Sequence, residues 1–460
     1  MKDYKGKHLV ILGAARQGLA LAKYLSSHGA EVTVTDQKDV KVLQDVMSDF
    51  REDQINWVLG GHPFELLDAA DYLSLSGGVP LAIPLVQEAL LRGIPLTNDS
   101  QIFMEVVPCP VIGITGSAGK TTTTILVGKI AAAAYGESRS WVGGNIGNPL
   151  ISDVDQMEHD HIAIMELSSF QLEQINISPK IACILNITPN HLDRHGTMQA
   201  YSDAKARILA EQLESDIAVL NREDPGSWAL HTEARGQLIS FGRHKPENGQ
   251  VGTYLDEKWI CYWDGEDSNR LLPVKSIKLR GAHNQMNVLA ACAIAAAAEF
   301  PAKAMLEGVN ALEGVPHRLE PVRIWGEALW VNDSKATTPK GSIAALNSFQ
   351  EPLILLAGGR DKDLPWKDFS RLVLERVRYL ILFGEAADLI ESSLAAELGK
   401  GQKMLPYRKC SGLEEAVRAA AGICEKGDVV LLSPGGTSFD EFVDFEERGE
   451  KFRLWVNELN

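Results

Sequence analysis

The sequence contains no apolar run approaching the roughly 18–20 residues that a bilayer-crossing helix requires. Its six cysteines (Cys109, Cys183, Cys261, Cys292, Cys410 and Cys424) are scattered and form no CxxC pair. The first absence argues against a helical membrane protein. The second argues against a disulfide framework or a zinc ribbon and points to reduced core thiols. Basic residues are in the minority, with 45 Lys and Arg against 61 Asp and Glu and a formal net charge of −16. A nucleic-acid binder would need a basic face, so no nucleic-acid partner is expected. Anionic small ligands remain compatible, because a few lysines in a cleft can override the global sign. Repeats of solenoid period and low-complexity tracts are also missing.

What is present is a long globular chain. At 460 residues it exceeds one ordinary core, since domains run about 100–200 residues. The opening stretch MKDYKGKHLVILGAA imitates a secretory leader, but Arg16 and Gln17 interrupt its apolar segment, and HLVILG reads better as a buried first strand. A cytoplasmic location and a monomer are expected, with no membrane partner.

Short β runs (HLVILG, EVTVTD, INWVLG, YLSLSG) alternate with helical stretches over residues 1–106, the pattern of a parallel α/β sheet. VVPCPVIGI, with two prolines, reads as a linker into a second unit, 107–314, which closes on the Ala-rich helix NVLAACAIAAAAEF. Turn formers in GVPHRLEP mark a second boundary. A third unit, 315–460, follows with strands ALWVND, PLILLAGG, YLILFG and DVVLLSPGG. The expected fold class is α/β, with three domains in series: a Rossmann-like N-terminal domain, a central P-loop mononucleotide-binding domain and a Rossmann-like C-terminal domain.

The first strand-to-helix turn reads GAARQG, Gly13 to Gly18, with Ala15 where a dinucleotide fingerprint carries its middle glycine. That glycine lets backbone approach a pyrophosphate, so its loss weakens an NAD reading, even though Asp36 stands where a ribose-binding acid would be. Another nucleotide-like ligand or a structural turn remains open.

The strongest local signal is TGSAGKTTTT, Thr115 to Thr124. It is shorter than the standard P-loop, since Ile114 occupies the place of the first glycine, but its physics is the same. Backbone N–H groups of Gly116, Ser117, Ala118 and Gly119 and the helix start at Lys120, Thr121 and Thr122 suit a cradle for phosphates. Lys120 neutralises their charge, and the Thr121 hydroxyl suits Mg²⁺. ATP with Mg²⁺ follows.

Glu166 ends the strand IAIMEL and fits a second metal ligand, or a helix cap. His191 and His195 in HLDRH lack a third partner for zinc, leaving His191 a helix-capping or ligand-facing residue. In YSDAKARILA, Lys205 falls on the apolar stripe of Tyr201, Ala204, Ile208 and Leu209. It is either a snorkelling lysine or one whose ammonium is suppressed or chemically altered near the metal.

TGSAGKTTTT, ELSSFQLE, ILNITPNHLDRHG, YSDAKARI, GAHNQMN, VPHRLE, NDSKATTP and SPGGTSFDEF occur in the order characteristic of the Mur ligases, which the chain resembles across all three domains. NDSKAT and SPGGTSFDEF resemble in particular the members that add D-glutamate. The resemblance implies an ATP-dependent amide-forming ligase of cytoplasmic peptidoglycan synthesis. Its substrates would be UDP-N-acetylmuramoyl-L-alanine and D-glutamate, joined through an acyl phosphate with release of ADP and phosphate.

The same resemblance assigns roles. Thr121 and Glu166 would hold one Mg²⁺, and His191 and a carbamylated Lys205 a second; Lys120, His191 and Lys205 would be catalytic. Asn145 would contact the uridine substrate or a metal-bound water. Asn284 and Asn287 would bind the nucleotide, unless they merely cap a helix, and Arg318 and Asp333 would meet ATP. Uracil would lie against Arg16, Gln17, Asp36, Gln37, Lys38 and the loop at Ser76, although Ala15 and Gly77 depart from the family pattern there.

In the third domain, Lys335, Thr337, Lys362 and Ser438 follow strands and so gather at a carboxyl edge suited to two carboxylates. The resemblance gives Thr337, Lys362, Ser438 and Phe445 to D-glutamate. Ser438 with Glu441 three residues on also reads as a capping box opening a helix.

Overall fold

The computed structural model describes residues 2–50, 55–247, 249–279, 281–312, 314, 316–399 and 405–459. Met1, Asn460 and Val315, the first residue of the expected third domain, lie outside them. The chain separates into two compact units, Met1–Ile277 with Met286–Ala311, and Lys278–Gln285 with Leu312–Asn460.

Two sheets build the first unit. The N-terminal sheet has the spatial order Ile55–Leu59, Glu31–Asp36, His8–Leu12, Tyr72–Leu75, Leu96–Thr97, every pair parallel. Its central strand is apolar throughout Leu9–Leu12 because helices cover both faces, which is why it shows no alternation. This doubly wound order reverses direction beside His8–Leu12, and the ligand crevice of such a sheet opens at the carboxyl ends next to that reversal. Gly13–Gly18 and the loop from Ser76 lie at those ends.

The larger sheet has nine strands in the order Ser268–Pro273, Trp259–Trp263, Gly252–Asp256, Gln237–Phe241, Ile217–Asn221, Ile181–Ile184, Val111–Thr115, Ile162–Glu166, Ser140–Gly144. The first three form an antiparallel meander and the rest run parallel. The meander leaves little trace in the sequence pattern. Its strands are short and half polar, and the tight turns at Asp256–Trp259 and Asp264–Ser268 are its only local signature. The helix Lys120–Tyr135 leaves the end of Val111–Thr115 and is packed by Ala302–Ala311, where the Gly308 Cα approaches the Ile130 backbone.

In the second unit the sheet order is Glu320–Trp325, Ala328–Asn332, Val429–Gly435, Leu353–Gly358, Val377–Phe383, Tyr407–Lys409, parallel except for the first pair. Apolar clusters on both of its faces, around Phe369 and Leu380 on one side and Trp330 and Phe452 on the other, again account for continuous apolar strands. The three-domain α/β reading therefore stands.

One local expectation fails. Ser438 does not open a helix; it sits in a turn, accepting through its carbonyl from Glu441 N and Phe442 N. The helix begins at Phe445, with Asp444 as its cap accepting from Glu447 N, and Glu447 reaching back to Val443 N. Glu441 instead accepts from Leu413 N at the start of the helix Leu413–Ala421. The motif S-x-x-E was present, but a second and better-spaced acidic pair lay downstream, and Glu441 found an orphan helix N–H elsewhere.

Candidate active site

The turn after Val111–Thr115 is held before any ligand arrives. Ser117 N and Ala118 N donate to the main-chain and side-chain oxygens of Asn186, and Asn186 Nδ2 returns a bond to Ala118 O. Ser117 Oγ donates to Thr188 O at 2.9 Å and takes the Tyr201 hydroxyl at 3.0 Å. Gly119 adopts φ +86, and a Cβ there would lie 2.4 Å from Asn287 Oδ1. A left-handed residue with no side chain is thus required where the helix Lys120–Tyr135 starts. The result is a turn that ends on the N-terminus of the helix Lys120–Tyr135, a geometry whose dipole favours an anion. Lys120 Nζ folds over it and donates to Gly116 O at 2.8 Å.

Lys205 reaches the same turn from a different helix. It lies on the helix Met198–Ala210, is 1% exposed, and places Nζ 3.0 Å from Gly116 O and 3.3 Å from Thr115 Oγ1. Burial, with Lys120 nearby adding repulsion, holds its ammonium well below the ordinary lysine range, and Glu166 only partly opposes this. A snorkelling lysine would reach water; this one reaches the phosphate turn.

Glu166, 2% exposed, ends its strand as expected. Its Oε1 accepts from Asn145 Nδ2 at 2.9 Å, while its Oε2 is buried with no hydrogen-bond partner. It caps no helix; Ser168 does, in a capping box with Gln171. A buried carboxylate oxygen without a donor is costly unless a cation completes it. Together with the Thr121 side chain at the second helical position, this donor set of oxygens suits Mg²⁺.

His191 is exposed, at φ +52, opening the single turn Leu192–His195 without a side-chain cap bond. Its ring meets Phe170 edge-on at 5.2 Å, and His195 stacks on the same ring at 5.2 Å. His195 also lies 2.9 Å from Ser169 Oγ and 3.0 Å from Glu173 Oε1, so it is a packed residue and not half of a zinc pair. The one cluster of three or more potential ligands among the described residues is Glu158, Asp160 and His161, which precedes the strand Ile162–Glu166 and so lies at the other end of it from Glu166.

At the N-terminal sheet, Asp36 spends both carboxylate oxygens on backbone: Oδ2 accepts from Ala14 N and Oδ1 from Lys38 N. It therefore shapes the turn that carries Arg16 and Gln17. Gly18 is there for close packing, since a Cβ would fall 2.2 Å from Ser76 Oγ. Ser76 Oγ donates to Gly13 O at 2.7 Å, tying its loop to the turn. Arg16, Gln37 and Lys38 are exposed at this end, and the Gln17 amide lies over Gly77. Sequence reasoning missed His62, whose Nδ1 lies 2.9 Å from Thr35 Oγ1 and whose pKa burial lowers, with the Asp36 charge opposing. A lone histidine after a third strand gives no signal of its own. Thr115, Asn186 and Tyr201 were likewise missed as site residues, though all three lie inside motifs already singled out.

Asn287 sits buried beside Gly119, and neither Asn284 nor Asn287 is a cap, because the helix already begins at Ala282.

In the second unit, Asp333 is 3% exposed, accepting from Ser433 Oγ at 2.8 Å and Leu319 N at 3.2 Å. Burial pushes its carboxyl up to about 6, with the Arg318 charge opposing. Lys335 Nζ lies 5.6 Å above the Phe445 ring, which brings together two of the residues expected to meet a carboxylate substrate. Ser438 is buried and Lys362 exposed, while Thr337 is held by its backbone against Lys335 O at 2.9 Å. Buried Arg448, unsuspected from sequence, fastens these loops: it donates to Ser334 Oγ and O, Gly436 O and Thr437 O.

Three family models match the chain: Mur ligase MurD-like, N-terminal domain over residues 7–98; Mur ligase middle domain over 114–295; and Mur ligase, glutamate ligase domain over 317–436. The chain is 38% identical to the UDP-N-acetylmuramoylalanine--D-glutamate ligase of Symbiobacterium thermophilum, covering 98% of both chains. It is 37% identical to the enzyme of the same name from Clostridioides difficile, over 99% of this chain and 100% of that one. Among solved structures, the UDP-N-acetylmuramate-alanine ligase of Thermotoga maritima has the same fold, with a TM-score of 0.61 at 18% identity, covering 98% of this chain and 99% of that chain.

Proposed function

This chain belongs to the Mur ligase family, and we propose that it joins D-glutamate to UDP-N-acetylmuramoyl-L-alanine with ATP as phosphoryl donor, in the cytoplasm. The observation that carries the reading is the meeting of Lys120 and Lys205 at Gly116 O, with Glu166, one carboxylate oxygen unsatisfied, ending the strand paired beside Ile114. The full-length relatives named for D-glutamate addition support the choice of amino acid.

The substrate carboxylate is a poor electrophile, and transfer of the γ-phosphoryl group turns one of its oxygens into a leaving group. The amine of D-glutamate then attacks the acyl phosphate, giving the amide and phosphate. Negative charge grows first on the transferred group and then on a tetrahedral centre, so fixed cations aimed at it contribute most. Gly116, Ser117, Ala118, Gly119 and Thr122 supply the cradle, and Lys120 neutralises the phosphates. Thr121 and Glu166 would hold one Mg²⁺, and His191 and carbamylated Lys205 a second. Bound there, Mg²⁺ supplies Lewis-acid charge to the phosphate oxygens. A neutral Lys205 amine is the form that takes up CO₂, and burial shifts the balance toward that form.

Residues 1–106 would bind the uridine nucleotide through Arg16, Gln17, Asp36, Gln37, Lys38 and Ser76, with Asn145 nearby. Residues 107–314 would bind ATP, aided by Asn284 and Asn287. Residues 315–460 would supply Arg318 and Asp333 to ATP and Lys335, Thr337, Lys362, Ser438 and Phe445 to D-glutamate.

ADP release measured over a panel of amino acids tests this. Release should require both UDP-N-acetylmuramoyl-L-alanine and D-glutamate. Equal rates with L-glutamate or L-lysine would overturn the specific assignment, and release without any amino acid would favour an ATPase switch.

A further inference from the structure

Arg194 occupies a junction that the proposed chemistry does not use. Its guanidinium donates to Gly78 O at 2.9 Å and to Val79 O at 3.2 Å, in the loop that begins at Ser76. The same group lies 4.1 Å above the Phe170 ring, whose edge meets His191. One side chain therefore touches the uridine-side loop, the segment after Glu166 and the turn that carries His191.

That turn has little to hold it locally. Leu192–His195 is four residues long, far below the length at which a helix supports itself, and His191 enters it at φ +52. Tertiary contacts hold it, among them the packing of His191, Arg194 and His195 on Phe170. His195 fixes it to Ser169 and Glu173, and Arg194 fixes it to Gly78 and Val79. The loop at Gly78 is fastened in turn to the nucleotide turn by the Ser76 bond to Gly13 and by Gln17 lying over Gly77.

We propose that Arg194 is a positioning residue that couples the uridine-nucleotide loop to the His191 turn, so that filling the first site orders the second. The inference rests on the functional reading above. Two charge-assisted bonds to adjacent carbonyls, aligned by a planar fork, transmit a loop position better than a lysine could. Coupling of this kind would favour engagement of the uridine substrate before the phosphoryl-transfer machinery is complete, limiting loss of ATP to water.

Hydrogen exchange of the intact protein with UDP-N-acetylmuramoyl-L-alanine alone, without ATP or metal, tests the coupling directly. In the parent protein, exchange should slow about tenfold both at 76–79 and at 188–196. In Arg194→Ala the protection should persist at 76–79 and vanish at 188–196. The Mg²⁺ concentration for half-maximal turnover should rise about tenfold in that variant, with kcat at saturating Mg²⁺ within a few-fold of the parent. Protection of 188–196 in Arg194→Ala equal to the parent, or its absence in the parent while 76–79 responds, would overturn the proposal. Failure of both loops to respond, together with no substrate-dependent ADP release, would instead bring down the functional reading and the coupling with it. Arg194→Lys keeps a cation over Phe170 and guards against misfolding of the alanine variant. It should show intermediate coupling, and full coupling in it would remove the two-carbonyl argument.

Discussion

Lys120 and Lys205 share one acceptor: their ammonium nitrogens lie 2.8 Å and 3.0 Å from the carbonyl oxygen of Gly116. Two like charges at one oxygen, one of them fully buried, repel each other, and the cheaper of the two to neutralise is Lys205.

Replacing Lys205 separates its chemical role from its effect on stability. Its folded-state pKa is lowered, so the unfolded chain binds the extra proton over the window from that lowered value up to the ordinary lysine range, and stability rises with pH there. Lys205→Met should therefore melt at a higher temperature than the parent near neutral pH while losing turnover. Lys205→Ala should lose turnover too and regain part of it with short-chain carboxylates that supply the missing oxygen ligand. Near-normal turnover of either variant without additive would remove Lys205 from the site.

Glu166→Gln keeps the shape and can retain a contact with Asn145 but removes the anionic oxygen at Oε2. Turnover should fall by about a hundred- to a thousandfold, the usual scale for losing one fixed electrostatic element of a transition state. The Mg²⁺ requirement should rise in parallel, read from the metal dependence of ADP release.

Gly119→Ala forces a Cβ onto a φ of +86 and against Asn287 Oδ1. Backbone strain alone costs about 1–3 kcal/mol, so nucleotide affinity by calorimetry should drop and the melting temperature with it. Adding Asn287→Ala should recover only the steric share of the melting temperature, while nucleotide affinity falls further because Asn287 itself is proposed to bind ATP.

Asp333 gives a pH signature in the second unit. Its folded-state pKa of about 6 lies above the ordinary aspartate value of 3.8, so the folded state holds the proton more tightly. Its contribution to stability is therefore present at low pH and is lost as pH rises through that window, amounting to about 3 kcal/mol. In Asp333→Asn that fall between about pH 4 and 6 should disappear, which denaturant titrations at several pH values would reveal. An unchanged slope would show that the carboxyl ionises freely.

The outline of the fold was legible because apolar strands alternate with amphipathic helices, and a parallel sheet covered on both faces writes itself as apolar runs such as HLVIL and LILLAG. Less was legible where signals were short or duplicated. The meander Gly252–Pro273 has half-polar strands, and Ser438 with Glu441 imitated a cap that Asp444 and Glu447 supply instead.

By itself, the sequence determined the phosphate turn, since the glycines, Lys120 and Thr121 act through backbone geometry and spacing within a few residues. It also set Lys205 on an apolar stripe. Only the tertiary structure decided where that lysine ends, that Asp36 serves the turn at Ala14, and that Arg194 reaches Gly78 and Val79, more than 110 positions away in the chain. Local periodicity is fixed by the chain's own repeat, whereas meetings between distant side chains depend on how whole elements pack, and no short window of sequence contains that information.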